Sequence, residues 1–235
     1  MPKQVKKTRS GHHGGTGKVR LIAGQWRGRQ LEVVSAEGLR PSGDRTRETL
    51  FNWLQPYLPG AHCLDLFAGS GALGFEAASR GAGFVAMVEQ DRQAVRCLQQ
   101  NVERLAAHQV SVFAKDALAC LSGRCPPDLR RAYDMIFVDP PWASQWQSMV
   151  LERLAHYSSQ AQVRTQSDTN VLLDEETQAA AENQTKHEAC IRLKPGGLVY
   201  IEANGDFDVR WPGTFEILRE KRIGGAQVYL LKWNG

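Results

Sequence analysis

The sequence predicts an α/β fold: a mostly parallel, doubly wound sheet, finished by an antiparallel C-terminal hairpin and preceded by an N-terminal β-hairpin. Three observations carry this. Apolar runs of strand length alternate with helical patterns from about residue 60 to residue 140. The first such run opens Leu64-Asp65-Leu66-Phe67-Ala68-Gly69-Ser70-Gly71-Ala72-Leu73-Gly74, a buried strand breaking into a glycine loop and then a helix. The chain closes on Thr214 to Ile223 and Ala226 to Trp233, two strand-like runs joined at Gly224-Gly225, the pattern of a hairpin. With 235 residues the chain is long enough to bury one full core with attachments.

Residues 1 to 17 are basic, Gly-rich and poor in apolar side chains, so a disordered tail that orders on a partner is expected. Residues 18 to 57 form the next unit. Val19-Arg20-Leu21-Ile22-Ala23-Gly24 and Gln30-Leu31-Glu32-Val33-Val34 read as two strands, with Trp26, Arg27 and Arg29 near the tip between them. A helix follows the turn at Leu39-Arg40-Pro41, capped by Ser42 or Asp44, with Leu50, Phe51, Trp53 and Leu54 on its apolar face. Arg45 and Arg47 oppose the dipole at that helix start, a placement expected where function asks for it or where Asp44 or Glu48 pairs with them.

From residue 58 onward the β/α pattern repeats. Strands end at Phe67, Glu89, Lys115 and Asp139, with helices near 71 to 80, 91 to 107 and 117 to 122; Val95, Leu98, Val102 and Leu105 mark the buried face of the second. A helix is expected from about 144 to 157. The polar, Gln-rich stretch from 158 to 190 reads as an insertion, part loop and part exposed helix near 174 to 190. Leu193 to Gly197 is a turn feeding the strand Leu198 to Glu202.

The net charge of +4 is modest, but Lys3, Lys6, Lys7, Arg9, Lys18, Arg20, Arg27, Arg29, Arg40, Arg45 and Arg47 crowd the first fifth of the chain. That asymmetry points to a polyanionic partner. Cations interleaved with Trp26 suit a nucleic acid, phosphates meeting the arginines and a base meeting the ring; a buried Trp26 covering one edge of the core is the competing expectation. Five cysteines without a C-x-x-C pair suggest reduced structural thiols in a cytoplasmic protein. His12-His13 stands without further ligands, so no metal is expected, and no apolar run is long enough for a membrane span or a signal peptide.

Gly69, Gly71 and Gly74 spell the dinucleotide fingerprint, but Asp65 at the loop mouth would repel a pyrophosphate seeking the helix start. S-adenosylmethionine reverses that sign, because its ammonium and sulfonium attract a carboxylate. Glu89, twenty residues after Gly69, suits ribose hydroxyls in either cofactor. With strand order 3-2-1-4-5, Asp139-Pro140-Pro141-Trp142 ends the neighbouring strand. Asp139 and the Pro140 carbonyl can accept N–H bonds from an exocyclic amine, Pro141 stiffens the turn, and Trp142 offers a face for a base.

These blocks, together with Ile22 to Arg29 and Asp44-Arg45-Thr46-Arg47-Glu48-Thr49-Leu50-Phe51-Asn52-Trp53, resemble the RsmD family of 16S rRNA guanine-N2 methyltransferases, from about Val19 to the C-terminal hairpin. The resemblance implies a Rossmann-like class I S-adenosylmethionine-dependent methyltransferase fold over residues 58 to 235. It also implies a guanine of small-subunit rRNA as substrate, in an assembled or assembling particle; a monomer is a separate expectation. On it, catalysis falls to Asp139, Pro140, Pro141 and Trp142, and the cofactor to Asp65, Phe67, Ala68, Gly69, Ser70, Gly71 and Glu89, with Asp116 and Ala117 at the adenine. Arg20, Trp26, Arg27, Arg29, Arg40, Arg45 and Arg47 would meet rRNA. Trp142 departs from the Phe or Tyr more common in the family, and the insertion has no family counterpart. Two alternatives stand beside this: an amino-methyltransferase of DNA adenine or a protein amide, and a non-catalytic RNA-binding assembly factor.

Overall fold

Strand β1 (Thr16–Arg20) and strand β2 (Gln30–Val34) pair antiparallel as a small separate sheet, followed by helix α1 (Asp44–Leu54). The main sheet then builds from β3 (His62–Asp65), β4 (Phe84–Glu89), β5 (Val110–Ala114) and β6 (Arg131–Val138), with α2 (Ala72–Ser79), α3 (Arg92–Leu105) and α4 (Ala117–Leu121) as crossovers. Helix α5 (Trp146–Ser167), β7 (Ile191–Asn204), β8 (Phe215–Ile223) and β9 (Ala226–Trp233) complete it. The computed structural model describes residues 16–34, 43–141, 146–167, 191–204, 209–223 and 225–235.

The sheet order is β5-β4-β3-β6-β7-β9-β8, parallel through β7 and antiparallel at the β9 and β8 edge. The central runs are apolar throughout because both faces are covered. Cys63, Val85, Met87, Met135, Phe137 and Tyr200 pack on the face that holds α1, α2 and α3. The alternating Leu64, Ala86, Val88, Ile136, Val138 and Ile201 pack toward α4 and α5 on the other. Helix α3 starts where Asp91 accepts the Gln93 and Ala94 amides, and it buries Ala94, Val95, Leu98 and Leu105 along one stripe.

The N-terminal elements share this core. Val19, Leu21, Leu31, Val33, Leu50, Phe51 and Leu54 belong to the same apolar cluster as α2, α3 and the inner sheet face, so β1, β2 and α1 share one core with the main fold. The Phe51 ring meets Phe137, and Phe137 meets Tyr200 edge-on, at centroid distances of 6.0 and 6.4 Å. This aromatic run ties α1 to β6 and β7 just beneath the sheet's carboxyl edge.

Some expectations change. Thr16 and Gly17 lie in β1 rather than in the tail. Helix α5 runs on to Ser167, ten residues beyond the expected end at 157, because Gln, Ala and Arg favour helix and no Gly or Pro stops it. Ser158 is buried there and its Oγ accepts the Leu193 amide at 2.9 Å. The turn expected at Leu193 to Gly197 is absorbed into β7 as a bulge: Tyr133 faces Leu193 and Met135 faces Leu198, so Lys194 to Gly197 oppose Asp134 alone. Lys194 Nζ meets Asp134 at 2.8 Å across it. Cys63, Cys97 and Cys120 are free thiols, but Cys125 is disulfide-bonded, against the expectation of reduced thiols; the spacing of cysteines along the chain does not by itself reveal such a bond. The tail, the helix near 174 to 190, His12-His13, Arg40, Ser42, Trp142 and Cys190 lie outside the described residues.

Candidate active site

Parallel order brings the strand ends into one row. Along the carboxyl edge run Asp116 and Ala117 after β5, Glu89 ending β4, the Gly69 loop after β3, Asp139 to Pro141 after β6, and Glu202 near the end of β7. Adjacent strands lie about 4.8 Å apart, so β5 and β6 are separated by roughly 14 Å, a span suited to an extended nucleoside.

The glycine loop is held in shape by its own backbone and two carboxylates. Gly71 donates to the Ala68 carbonyl at 2.7 Å and accepts from Phe75 at 2.9 Å, opening α2. Its φ of +76° is left-handed, and an added Cβ would come within 2.5 Å of Leu98 and 2.8 Å of Phe75, so only glycine fits. Glu89 receives the Gly69 amide on Oε2 and the Asp91 amide on Oε1, both at 2.8 Å. An ionised carboxylate has about four acceptor positions, which leaves capacity for ribose hydroxyls. Ser70 Oγ takes the Ala72 amide at 3.4 Å, and Phe67 stacks on Trp146 at 5.9 Å. Val33 and Val34 of β2 line a small cleft with Gly69, Ser70, Ala94 and Leu98, so the N-terminal hairpin forms a wall beside this loop.

Asp65 acts differently from the sequence expectation. It is 1% exposed and its Oδ2 accepts the Gly74 amide of α2 at 3.0 Å. Burial first, and then the Glu89 charge, push its carboxyl up to about 7, although the Gly74 and Phe67 amides act in the opposite direction. Near neutral pH its charge is therefore only partly present, which weakens attraction to an ammonium as the basis of cofactor choice. What remains is occupancy: a side chain already fills the helix start that a pyrophosphate would need. Because the folded value lies above the ordinary 3.8, the protonated form is favoured by folding; this contribution to stability is fully present below 3.8 and is lost as pH rises to about 7. Asp65→Asn is expected to flatten this fall, with its melting temperature gaining on the parent across that window in scanning calorimetry.

At the next strand end Asp139 is half-buried, Pro140 buried and Pro141 exposed. Tyr200, fully buried, has its phenol pushed well above the ordinary range by burial first, then by the Glu202 and Asp139 charges, so these two carboxylates flank it. Asp116 caps α4 by accepting the Ala119 amide at 2.6 Å, and Ala117 is buried behind it.

The substrate set divides. Arg20, Arg27, Arg29 and Arg45 are exposed. Trp26 is 8% exposed and packed in the core, so it covers an edge and offers no open stacking face. The loop that carries it folds onto α2. Ile22 and Ala23 amides donate to Glu76 at 2.8 and 3.0 Å, Gln25 donates to the Ser79 carbonyl at 2.8 Å and Trp26 to Ser79 Oγ at 3.0 Å. Arg47 is fully buried, donating through Nη2 to Asp44 at 2.6 Å and to the Arg20 carbonyl at 3.1 Å, while its Nε and Nη1 have no hydrogen-bond partner among the described residues. It therefore anchors α1 to β1 rather than presenting charge to a polyanion. Sequence reasoning missed Glu76, Ser79, Tyr200, Gln147 and Glu202. An acid within the apolar helix Ala72 to Ser79 was a usable signal, as was Glu202 ending an apolar run in the way Glu89 does.

Residues 19–192 match the family model described as conserved hypothetical protein 95. The chain is 37% identical over 210 residues to ribosomal RNA small subunit methyltransferase D of Haemophilus influenzae, covering 88% of this chain and 90% of that relative. The chain belongs to the ribosomal RNA small subunit methyltransferase D family. The solved structure of the yhhF protein from Escherichia coli superposes with a TM-score of 0.69 at 32% identity, over 93% of this chain and 99% of that one. The fold also recurs in RsmC, a 16S rRNA N2 methyltransferase of T. thermophilus solved with AdoMet and guanosine, with a TM-score of 0.55 at 21% identity over 94% of this chain and 50% of that one. Among the described residues no helix is long and apolar enough to cross a membrane, and no group of three His, Cys, Asp or Glu could hold a metal ion.

Proposed function

We propose that this protein transfers the methyl group of S-adenosylmethionine to the exocyclic N2 amine of one guanine in 16S rRNA of the small ribosomal subunit. The observation that carries the reading is the row of strand ends, with the Gly69 loop and Glu89 on one side of Asp139 and Glu202 on the other. Family membership supports an S-adenosylmethionine-dependent methyltransferase of small-subunit rRNA.

The residues present fit that cofactor. Glu89 would hold the ribose, Asp116 and Ala117 would border the adenine, and the Gly69 to Gly71 backbone would border the methionine portion. When bound, the cofactor supplies a methyl group made electrophilic by its sulfonium. The protein supplies the acceptor side. A guanine N2 is a poor nucleophile because its lone pair is delocalised into the ring. Asp139 and the Pro140 carbonyl accept its N–H bonds, which orients the amine and favours a pyramidal nitrogen. Asp139 would then accept the proton that the amine gives up as its new N–C bond replaces the methyl–sulfur bond of the donor. The buried Pro140 limits how far this turn can relax. Trp142 is assigned to stack on the base.

The exposed cations of the hairpin meet the rRNA phosphates in this reading. Binding is expected to weaken with salt, and Arg27→Ala with Arg29→Ala should lower the log-log slope by about 0.9 for each phosphate no longer neutralised on the duplex DNA scale, somewhat less on single strands. Filter binding to small-subunit particles at several salt concentrations measures it; an unchanged slope would make the hairpin structural cover only. The reading as a whole is tested by incubating the full chain with methyl-labelled S-adenosylmethionine and particles from cells lacking the protein. Label should enter the rRNA, and label confined to protein or to added DNA adenine would move the assignment to those substrates.

A further inference from the structure

We propose that helix α3 carries a phosphate track for the rRNA backbone flanking the target guanine, built on Arg92, Arg96 and Arg104 and joining the catalytic edge of the sheet to the tip of the N-terminal hairpin. This rests on the rRNA reading above and adds a surface to it.

The hairpin tip lies away from the chemistry. At one end of the hairpin Thr16 pairs with Val34, and Val34 borders the Gly69 loop. At the other end the Gln25 amide reaches the Ser79 carbonyl, where α2 finishes, and Arg29 Nη2 meets the Arg104 carbonyl, where α3 finishes. Both helices start at the carboxyl edge of the sheet and end at its amino edge, so Arg27 and Arg29 lie at the edge opposite Asp139. An rRNA backbone that meets both has to run along the flank of the molecule from one edge to the other. Helix α3 forms such a flank beside β2, where the buried Asn101 donates to the Glu32 carbonyl at 2.8 Å and accepts the Glu32 amide at 3.1 Å. From Arg92, close after the Glu89 strand end, to Arg104, beside Arg29, the helix rises about 18 Å.

The surface of α3 suits such a strand. Arg92, Arg96, Gln100 and Arg104 follow one another at four-residue spacing and are all exposed. They form one ridge with a step of about 6 Å, close to the separation of successive phosphates along a strand. Gln100 offers an amide to the sugar hydroxyls that RNA carries along its backbone. Arg104 is tied to Asn101 at 2.7 Å and to Glu32 at 3.4 Å, so it joins the track to the hairpin while Arg92 and Arg96 carry most of its charge. Those two stand against local preference. Like charges four residues apart repel, and Arg92 in the first turn faces the positive end of the helix dipole. Glu103 is the one acid within α3, at its far end, so neither arginine has an acid three or four residues away in the helix to offset this. A charged face serving solubility alone would interleave acids at that spacing, and placement against preference is expected where function asks for it.

The test measures binding of the full chain to small-subunit particles at several salt concentrations, for the parent, for Arg92→Gln with Arg96→Gln, and for Arg92→Lys with Arg96→Lys. With one phosphate neutralised per arginine, the glutamine pair is expected to lower the log-log slope by about 1.8 on the duplex DNA scale or about 1.4 on single strands, and the lysine pair to keep it. In methyl transfer the glutamine pair should raise KM for particles while kcat and S-adenosylmethionine affinity stay unchanged. Its melting temperature should hold or rise, because a like-charge pair has been removed, so a loss of binding would not come from a loss of fold. An unchanged slope and KM in the glutamine pair, beside a parent that methylates the rRNA, would overturn the track and leave the methyltransferase reading standing. A parent that transferred no methyl group to rRNA would remove that reading, and the slopes of the two pairs would still decide the track.

Discussion

Replacing Asp139 by alanine is expected to slow methyl transfer by roughly 10²- to 10⁴-fold, about 3 to 5 kcal/mol in the barrier, while S-adenosylmethionine still binds. The loss follows from the work assigned to this side chain, which orients a weakly nucleophilic amine and accepts charge as its proton departs. Binding should survive because the cofactor residues hang on other strands: the Gly69 loop is held by Glu89 and the Ala68 carbonyl, and none of those bonds involves Asp139. Single-turnover transfer to small-subunit particles, with calorimetry for the cofactor, separates the two quantities. Unchanged turnover would reduce Asp139-Pro140-Pro141 to a strand-ending turn.

The largest effect on stability is expected at Glu76, far from the chemistry. Its side chain is fully buried and accepts the Ile22 and Ala23 amides together with Arg80 Nε at 2.7 Å. Arg80 is itself nearly buried and lies over the Phe51 ring at 5.2 Å. Glu76→Ala would leave that charge and both amides without their acceptor, and breaking a buried pair in this way costs about 3 to 5 kcal/mol. For a chain of this length that is a fall in melting temperature of roughly 6 to 20 °C. Hydrogen exchange should localise the damage, with the Ile22 and Ala23 amides losing protection before the central strands. An unaltered melting curve would mean that the hairpin is held by its apolar packing alone.

The parts of this molecule that were legible from sequence are those set by local pattern. Apolar runs bounded by Gly, Asp or Pro gave strand ends within two residues, as at Glu89 and at Ala114 against the expected Lys115. The glycine spacing located the loop because left-handed backbone at Gly71 leaves few other spellings. What was not legible depends on partners far along the chain. An aromatic flanked by arginines reads the same whether exposed or docked, and Trp26 is docked because Glu76 and Ser79, more than fifty residues away, hold its loop. Arg47 was read as a surface cation for the same reason; Asp44 and the Arg20 carbonyl take it inward. Glu202 escaped notice because its meaning comes from the neighbouring strand, where the register sets it beside Asp139. The end of α5 was misplaced since composition alone cannot say where a breaker-free polar helix stops.

Mass spectrometry of nucleosides from small-subunit rRNA tests the central claim most directly. Particles from cells lacking the protein, treated with the full chain and S-adenosylmethionine, are expected to gain N2-methylguanosine at one position, with no gain when the Asp139→Ala chain is used. Appearance of the methyl group on adenosine, or the same N2-methylguanosine gain from the Asp139→Ala chain, would contradict it.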